Sequence, residues 1–157
     1  MLITGVFWGT WFTLTRSIES FSPAEFIHIG QVIIANVAMS MRFLMPAGIL
    51  LMLLSVLQHG NKKSLGFYSR ITALVLIVIV LLITLLVLVP IDNEIKLWTE
   101  STVPADWEAI RDKWQTFHAF HIFASLGSFA GFSFSDLATI SQCDIFVHAK
   151  VENQVVQ

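Results

Sequence analysis

The chain has 157 residues, 55% of them hydrophobic and 13% charged, with a formal net charge of −2 and a mean hydropathy of +0.75. The charge is far below the roughly 25% of an ordinary soluble domain, and its acidic balance argues against a nucleic-acid partner. The single cysteine, Cys143, excludes an intrachain disulfide and a thiolate metal cluster.

Four apolar segments follow in chain order. Residues 1–20 lack the basic start and A-x-A-like cleavage site of a secretory signal, so residues 1–18 are read as a retained first helix. It carries Gly5-x-x-x-Gly9, a spacing that lets helix backbones approach closely in lipid. The second segment opens at Ser22-Pro23-Ala24-Glu25, a capping box with proline at the first helical position. Apolar character then runs to Leu57, broken by Gln31, Asn36, Arg42 and Pro46. A helix of that length is about 52 Å long, more than a bilayer needs. Its first turns should therefore project beyond the membrane, and Pro46 should kink it.

Residues 71–90, ITALVLIVIVLLITLLVLVP, contain no charge. As a helix they span about 30 Å, the thickness of the hydrocarbon core. Pro90-Ile91-Asp92-Asn93 is expected to stop this third helix. The fourth should start near Pro104 and run to about Phe134, with Gly127-x-x-x-Gly131 and other small residues packed inside the bundle. Its glycines should meet Gly5 and Gly9 of the first helix, leaving the bulky third helix to face lipid. Residues 137–157 are read as a cytoplasmic tail, with weak strand-like alternation at 144–151.

These segments predict an all-α, four-transmembrane-helix bundle over residues 1–136, followed by the tail. Lys62, Lys63 and Arg70 lie between the second and third helices without an acid. The positive-inside rule places that loop, and both termini, in the cytoplasm. The chain is thus expected to be an integral protein, with a bacterial inner membrane as its setting. Trp98, Trp107 and Trp114 should then mark the outer boundary.

Three polar features converge at that outer end. Arg42 lies about one turn inside it, Asp92 just past the third helix and His118 about one turn into the fourth. On the fourth helix Trp107, Ile110, Arg111, Trp114, His118, His121 and Ser125 follow steps of three and four and form one stripe. An arginine and two histidines do not suit a lipid-facing stripe, so it should face the bundle. Arg42 either lines the site or snorkels outward. If it lines the site it pairs with Asp92, or with Glu94 as second choice, and Arg111 is the other candidate partner for Asp92. Glu25-x-x-His28 and the His118/His121 pair have spacings found in metal bundles. Glu25 is already used by the capping box and further carboxylates are lacking, so no metal is expected.

The stretch from Val89 to Trp98 (VPIDNEIKLW), with the stretch from Asp106 to His118 (DWEAIRDKWQTFH), resembles the signature of the anthrone oxygenase-like family of small four-helix membrane proteins. Pro90, Trp98, Trp107, Arg111, Trp114 and His118 match in type and order, and Asn36 and Pro46 also fit. The family's usual asparagine is Asp92 here, followed by Asn93, and an arginine often found three residues after the histidine is His121. The resemblance implies oxidation of a lipophilic planar phenolic or quinone-like substrate by molecular oxygen without an organic cofactor. In that reading His118 is the general base, oriented by Asp92, and Arg42 and Arg111 stabilise an enolate. Trp107 and Trp114 stack on the ring, unless they serve only the interfacial belt, and Asn36, Asn93 and His121 complete the substrate contacts. The alternative is a non-catalytic membrane subunit or small-ligand-binding four-helix protein. Expected partners are the lipid bilayer, a lipophilic aromatic ligand and a second copy or membrane-complex subunit.

Overall fold

The computed structural model describes residues 2–10, 13 and 17–155, with residues 10 and 138–155 described by backbone alone. All the regular structure among the described residues is helical: α1 (Leu2–Thr10), α2 (Pro23–Leu57), α3 (Leu65–Ile83), α4 (Val89–Ile95) and α5 (Trp107–Val155). Two helical stretches, Pro23–Leu57 and Leu65–Ile95, are long and apolar enough to cross a membrane. The expected extension of the first helix through residues 11–16, Thr13 apart, falls outside the described residues.

The capping box at α2 forms as its sequence dictates. Ser22 accepts a bond from the Glu25 backbone N–H through Oγ, and Glu25 returns one by accepting from the Ser22 N–H at 2.8 Å. Pro46 sits inside α2 without ending it. At the start of α3, Ser64 Oγ accepts from the Phe67 N–H at 3.1 Å and donates to the Asn61 carbonyl at 2.9 Å.

The third helix does not stop at Pro90. It passes through a π turn at Thr84–Leu88 and continues as α4 to Ile95. The Val89 N–H bonds the Thr84 carbonyl, five residues back, and this wider turn makes room for a proline ring that would clash within a regular helix. Burial favours the continuation: Leu88, Ile91 and Ile95, at helical steps of three and four, are all buried in one core.

Helix α5 also outruns its expected end near Phe134. It continues to Val155, so residues 144–151 are helical and not a strand. Nothing between Phe132 and Val155 is a glycine or proline that would stop it. Gln157 lies outside the described residues.

The small residues of α5 meet α3 rather than α1. Ser69 Oγ donates to the Gly131 carbonyl at 2.7 Å, and Ser128 Oγ donates to the Ala73 carbonyl at 2.8 Å. A Cβ at Gly127 would face Leu76, and one at Gly131 would face Ser69 and Ala73, whereas Gly5 and Gly9 face open space. Helix α3 does not only face lipid as expected: its aliphatic run hides a second face, on which Ser69 and Ala73 are small enough for close approach. Its opposite face leaves Leu82, Leu85 and Leu86 exposed. Helix α1 touches α2, with Ile3 directly over Gly48, and meets α5 through Phe7 and not through its glycines.

Candidate functional site at the Trp114 end of the bundle

Helix α2 and the α3–α4 rod run in opposite directions about the 58–64 loop, so the start of α2, the end of α4 and the start of α5 share one end. Gln31 of α2 binds that end together. Its Nε2 donates to the Ile95 carbonyl at 3.1 Å and to the Trp98 carbonyl at 3.0 Å. These carbonyls lie where the α4 helix runs out of internal donors. In the sequence Gln31 shows only as a break in apolar character, and an amide within an apolar helix is the signal of this role.

The same end holds a line of four polar or aromatic side chains, the first half-buried and the other three buried. Asp92 Oδ1 accepts the indole N–H of Trp114 at 3.0 Å. The Trp114 ring stacks on His118 with centroids 4.7 Å apart and planes 8° from parallel. His121 follows, its ring centroid 5.7 Å from that of His118, and Phe7 of α1 covers it at 3.9 Å. Trp114, His118, His121 and Ser125 are all buried, because steps of four, three and four put them on one face of α5. His118 Nε2 and both ring nitrogens of His121 are buried without a hydrogen-bond partner among the described residues. Such groups ordinarily find partners, so each needs an explanation.

The expected ion pair from Asp92 to Arg42 or Arg111 does not form. Arg111 pairs with Asp112, Nη2 to Oδ1 at 2.9 Å, and its guanidinium lies 5.2 Å from the Trp107 ring centroid. Asp112 is its neighbour in sequence, and Asp92 has already engaged Trp114. Arg42 is exposed on α2. It follows Met41, which packs against the core, and one residue along a helix turns about 100°. Asn36 is also exposed on α2, and exposed Asn93 accepts a bond from Lys96 at 3.4 Å. The structure therefore brings Asp92, Trp114, His118 and His121 together and leaves Arg42, Asn36, Asn93 and Arg111 outside the buried group. Trp107 packs on Phe26 with centroids 5.7 Å apart. Trp98 is buried at 6% exposure.

An apolar cavity of about 20 Å³ adjoins Trp114, lined by Phe26, Gly30, Ile34 and Ile95 among others. That is room for about one water-sized molecule. A separate open groove of about 610 Å³ runs past Glu19, Arg111, Gln115, Phe120 and Phe123. There Gln115 donates to Glu19 at 3.3 Å.

The described residues are thus all-helical, with two helices long and apolar enough to cross a membrane, and gather a half-buried carboxylate with a buried indole and two buried imidazoles at one end. The chain matches the anthrone oxygenase family over residues 32–131, well over half its length, and belongs to that family. Comparison with curated proteins and with solved structures finds no match. The matched stretch holds Gln31's neighbour Val32, all of α3 and α4, and the whole Asp92 to His121 line. Position 92 must offer an oxygen to the Trp114 N–H, and aspartate and asparagine both carry one at that place.

Proposed function

We propose that this chain is an integral membrane oxidoreductase that acts on a lipophilic planar phenolic or quinone-like substrate, with His118 as its general base. In this reading α1 and α5 complete a four-span bundle in a bacterial inner membrane, and the 58–64 loop lies on the cytoplasmic side. The observation that carries the chemistry is His118: it is buried, held against Trp114, and its Nε2 has no partner among the described residues. A base must have a free lone pair and a fixed direction. Asp92 supplies the direction at one remove, by fixing the indole on which the imidazole stacks.

For an anthrone-type CH2 flanked by aromatic rings, His118 takes one proton and leaves a delocalised carbanion. The carbanion bonds to oxygen and forms a peroxide. Loss of the second C–H proton with cleavage of the O–O bond then leaves a C=O group and releases water. One O2 supplies both oxygens, and the electrons come from the substrate. The apolar cavity beside Trp114 suits a small apolar gas and not a ring system, so ring binding requires its cover to move. Ile18 and Phe21, which precede α2, are among the residues that line it.

A second reading, ligand binding without chemistry, is favoured by one observation. Neither Arg42 nor Arg111 stands in the buried group, so neither is placed to stabilise an enolate there. One experiment separates the two. The purified full chain in lipid nanodiscs is given anthrone under 18O2, and oxygen uptake and product mass are followed. Enzyme turnover places one heavy oxygen in the quinone and falls at least 100-fold in His118→Gln, the usual scale for losing a general base. Saturable anthrone binding without uptake selects the second reading, and neither binding nor uptake rejects both.

A further inference from the structure

Helix α1 is held to the bundle by one face. Ile3 and Phe7, four residues apart, lie on that face. Ile3 sits over Gly48 of α2, and Phe7 packs on His121 of α5. Among the described residues, a Cβ at Gly5 or Gly9 would meet nothing within 4 Å. Phe7 is 5% exposed and His121 2%. Their ring centroids are 3.9 Å apart and their planes are inclined by 57°.

This pairing satisfies the phenyl ring and not the imidazole. Both ring nitrogens of His121 are buried without a hydrogen-bond partner among the described residues, and the proposed reaction uses neither. A neutral imidazole offers one N–H and one lone pair, and a phenyl ring answers neither of them. Unmet polar groups of this kind are costly away from water. A hydroxylated ring of the same size packs as Phe7 does and also bonds one nitrogen, since a phenolic O–H both donates and accepts. The inclination of the seat suits this. Imidazole nitrogens bond in the plane of their ring, and a ring stacked flat on that plane would hold its rim oxygens away from it. In a membrane little opposes the exchange. Withdrawn from its seat, Phe7 meets hydrocarbon and not water, so no hydrophobic penalty resists its departure. The new hydrogen bond, by contrast, forms where the dielectric is low. The seat also adjoins the proposed base, because the His121 and His118 centroids are 5.7 Å apart. A ring too large for the cavity beside Trp114 thus has a ring-sized place at Phe7.

We infer that Phe7 holds the place of one ring of a phenolic ligand, which displaces it and hydrogen-bonds to a ring nitrogen of His121. The subsite rests on the aromatic-ligand reading of the Trp114 end and uses no step of the proposed reaction. Oxygen uptake tests the reaction and ring binding tests the subsite, so turnover without a phenol preference leaves the first standing and removes the second. Binding is measured by fluorine NMR on the full chain in lipid nanodiscs, with 4-fluorophenol and 4-fluorotoluene as probes and empty nanodiscs as the blank. Phe7→Ala opens the seat and should bind the phenol about 3- to 10-fold more tightly than the toluene, the range for one hydrogen bond. It should also bind the phenol more tightly than the native chain does, because the native seat is open for only a fraction of the time. Adding His121→Phe keeps a ring at that position and should abolish the preference. Equal binding of the two probes, no binding, a preference that survives His121→Phe, or native binding as tight as that of Phe7→Ala overturns the proposal. A second measurement keeps the Phe7 ring and places a fluorine at its para position in the otherwise native chain. Spin-labelled lipid should broaden this signal more when phenol is present, because the displaced ring meets lipid. Broadening that phenol leaves unchanged overturns the displacement.

Discussion

The two ends of the bundle each gather polar groups from three helices, but they treat them in opposite ways. At the end near the 58–64 loop, Arg70 of α3 has every arm engaged. It donates to Ser135 Oγ at 2.7 Å, to Ser55 Oγ at 2.9 Å and to Asp136 Oδ1 at 2.7 Å, and it lies 5.6 Å from the centre of the Phe132 ring. At the other end, Asp92 and Trp114 satisfy one another while three ring nitrogens of His118 and His121 have no partner among the described residues. A saturated network ties helices together and has nothing left to offer a ligand. An unsaturated one costs stability, and its persistence at the Trp114 end is what marks that end as the candidate site.

Breaking the saturated end should have the largest effect. Arg70→Ala leaves Ser135 buried and Asp136 without its cation. Loss of a buried pair costs about 3–5 kcal/mol, but Asp136 is 51% exposed on its side chain, so solvent screening reduces this to about 2–3 kcal/mol. The melting temperature in detergent reads the loss. Arg70→Lys should recover only part of it, because one ammonium cannot reproduce the forked geometry.

At the Trp114 end the first contrast lies between Asp92→Ala and Asp92→Asn. Alanine leaves the buried indole N–H unpaired and should cost about 1–2 kcal/mol. Asparagine keeps an acceptor oxygen and should stay within about 0.5 kcal/mol. If both substitutions destabilise equally in the same melting assay, the carboxylate charge matters and the acceptor role is wrong.

The sharpest form of the comparison is His118→Phe. The ring and its stacking on Trp114 are kept, while an unpartnered nitrogen is removed. Stability should hold or rise by about 1 kcal/mol, even as any turnover is lost. A fall in melting temperature comparable to that of Arg70→Ala would mean that this nitrogen holds the fold together. Among the substitutions that truncate a side chain to alanine, the smallest effect belongs to Arg111→Ala. Its partner Asp112 is exposed, at 62% of its side chain, and such pairs contribute about 0–1 kcal/mol.

Local signals along the chain determined much of this molecule. Ser22, Pro23 and Glu25 sit next to one another, so the start of α2 was legible from them, and the apolar run at residues 71–90 carried its own length. The inward face of α5 was legible as well, because Trp114, His118, His121 and Ser125 share a helical period whatever packs upon them. The family signature lies in the same stretch. Only the tertiary structure decided the partners. Whether Asp92 meets a guanidinium or an indole depends on how the π turn carries the rod past Pro90 and on where Arg111 finds Asp112. Whether Gly131 meets α1 or α3 depends on which neighbour also has small residues at that depth. Arg70, counted as a loop charge, proved to be the centre of a network because Ser55 and Asp136 arrive from other helices. The physical reason is the range of the forces involved: caps, periods and chain-adjacent ion pairs act within a few residues, whereas a hydrogen bond such as that from Trp114 to Asp92 exists only once separate helices have been brought within 3 Å by the burial of everything around them.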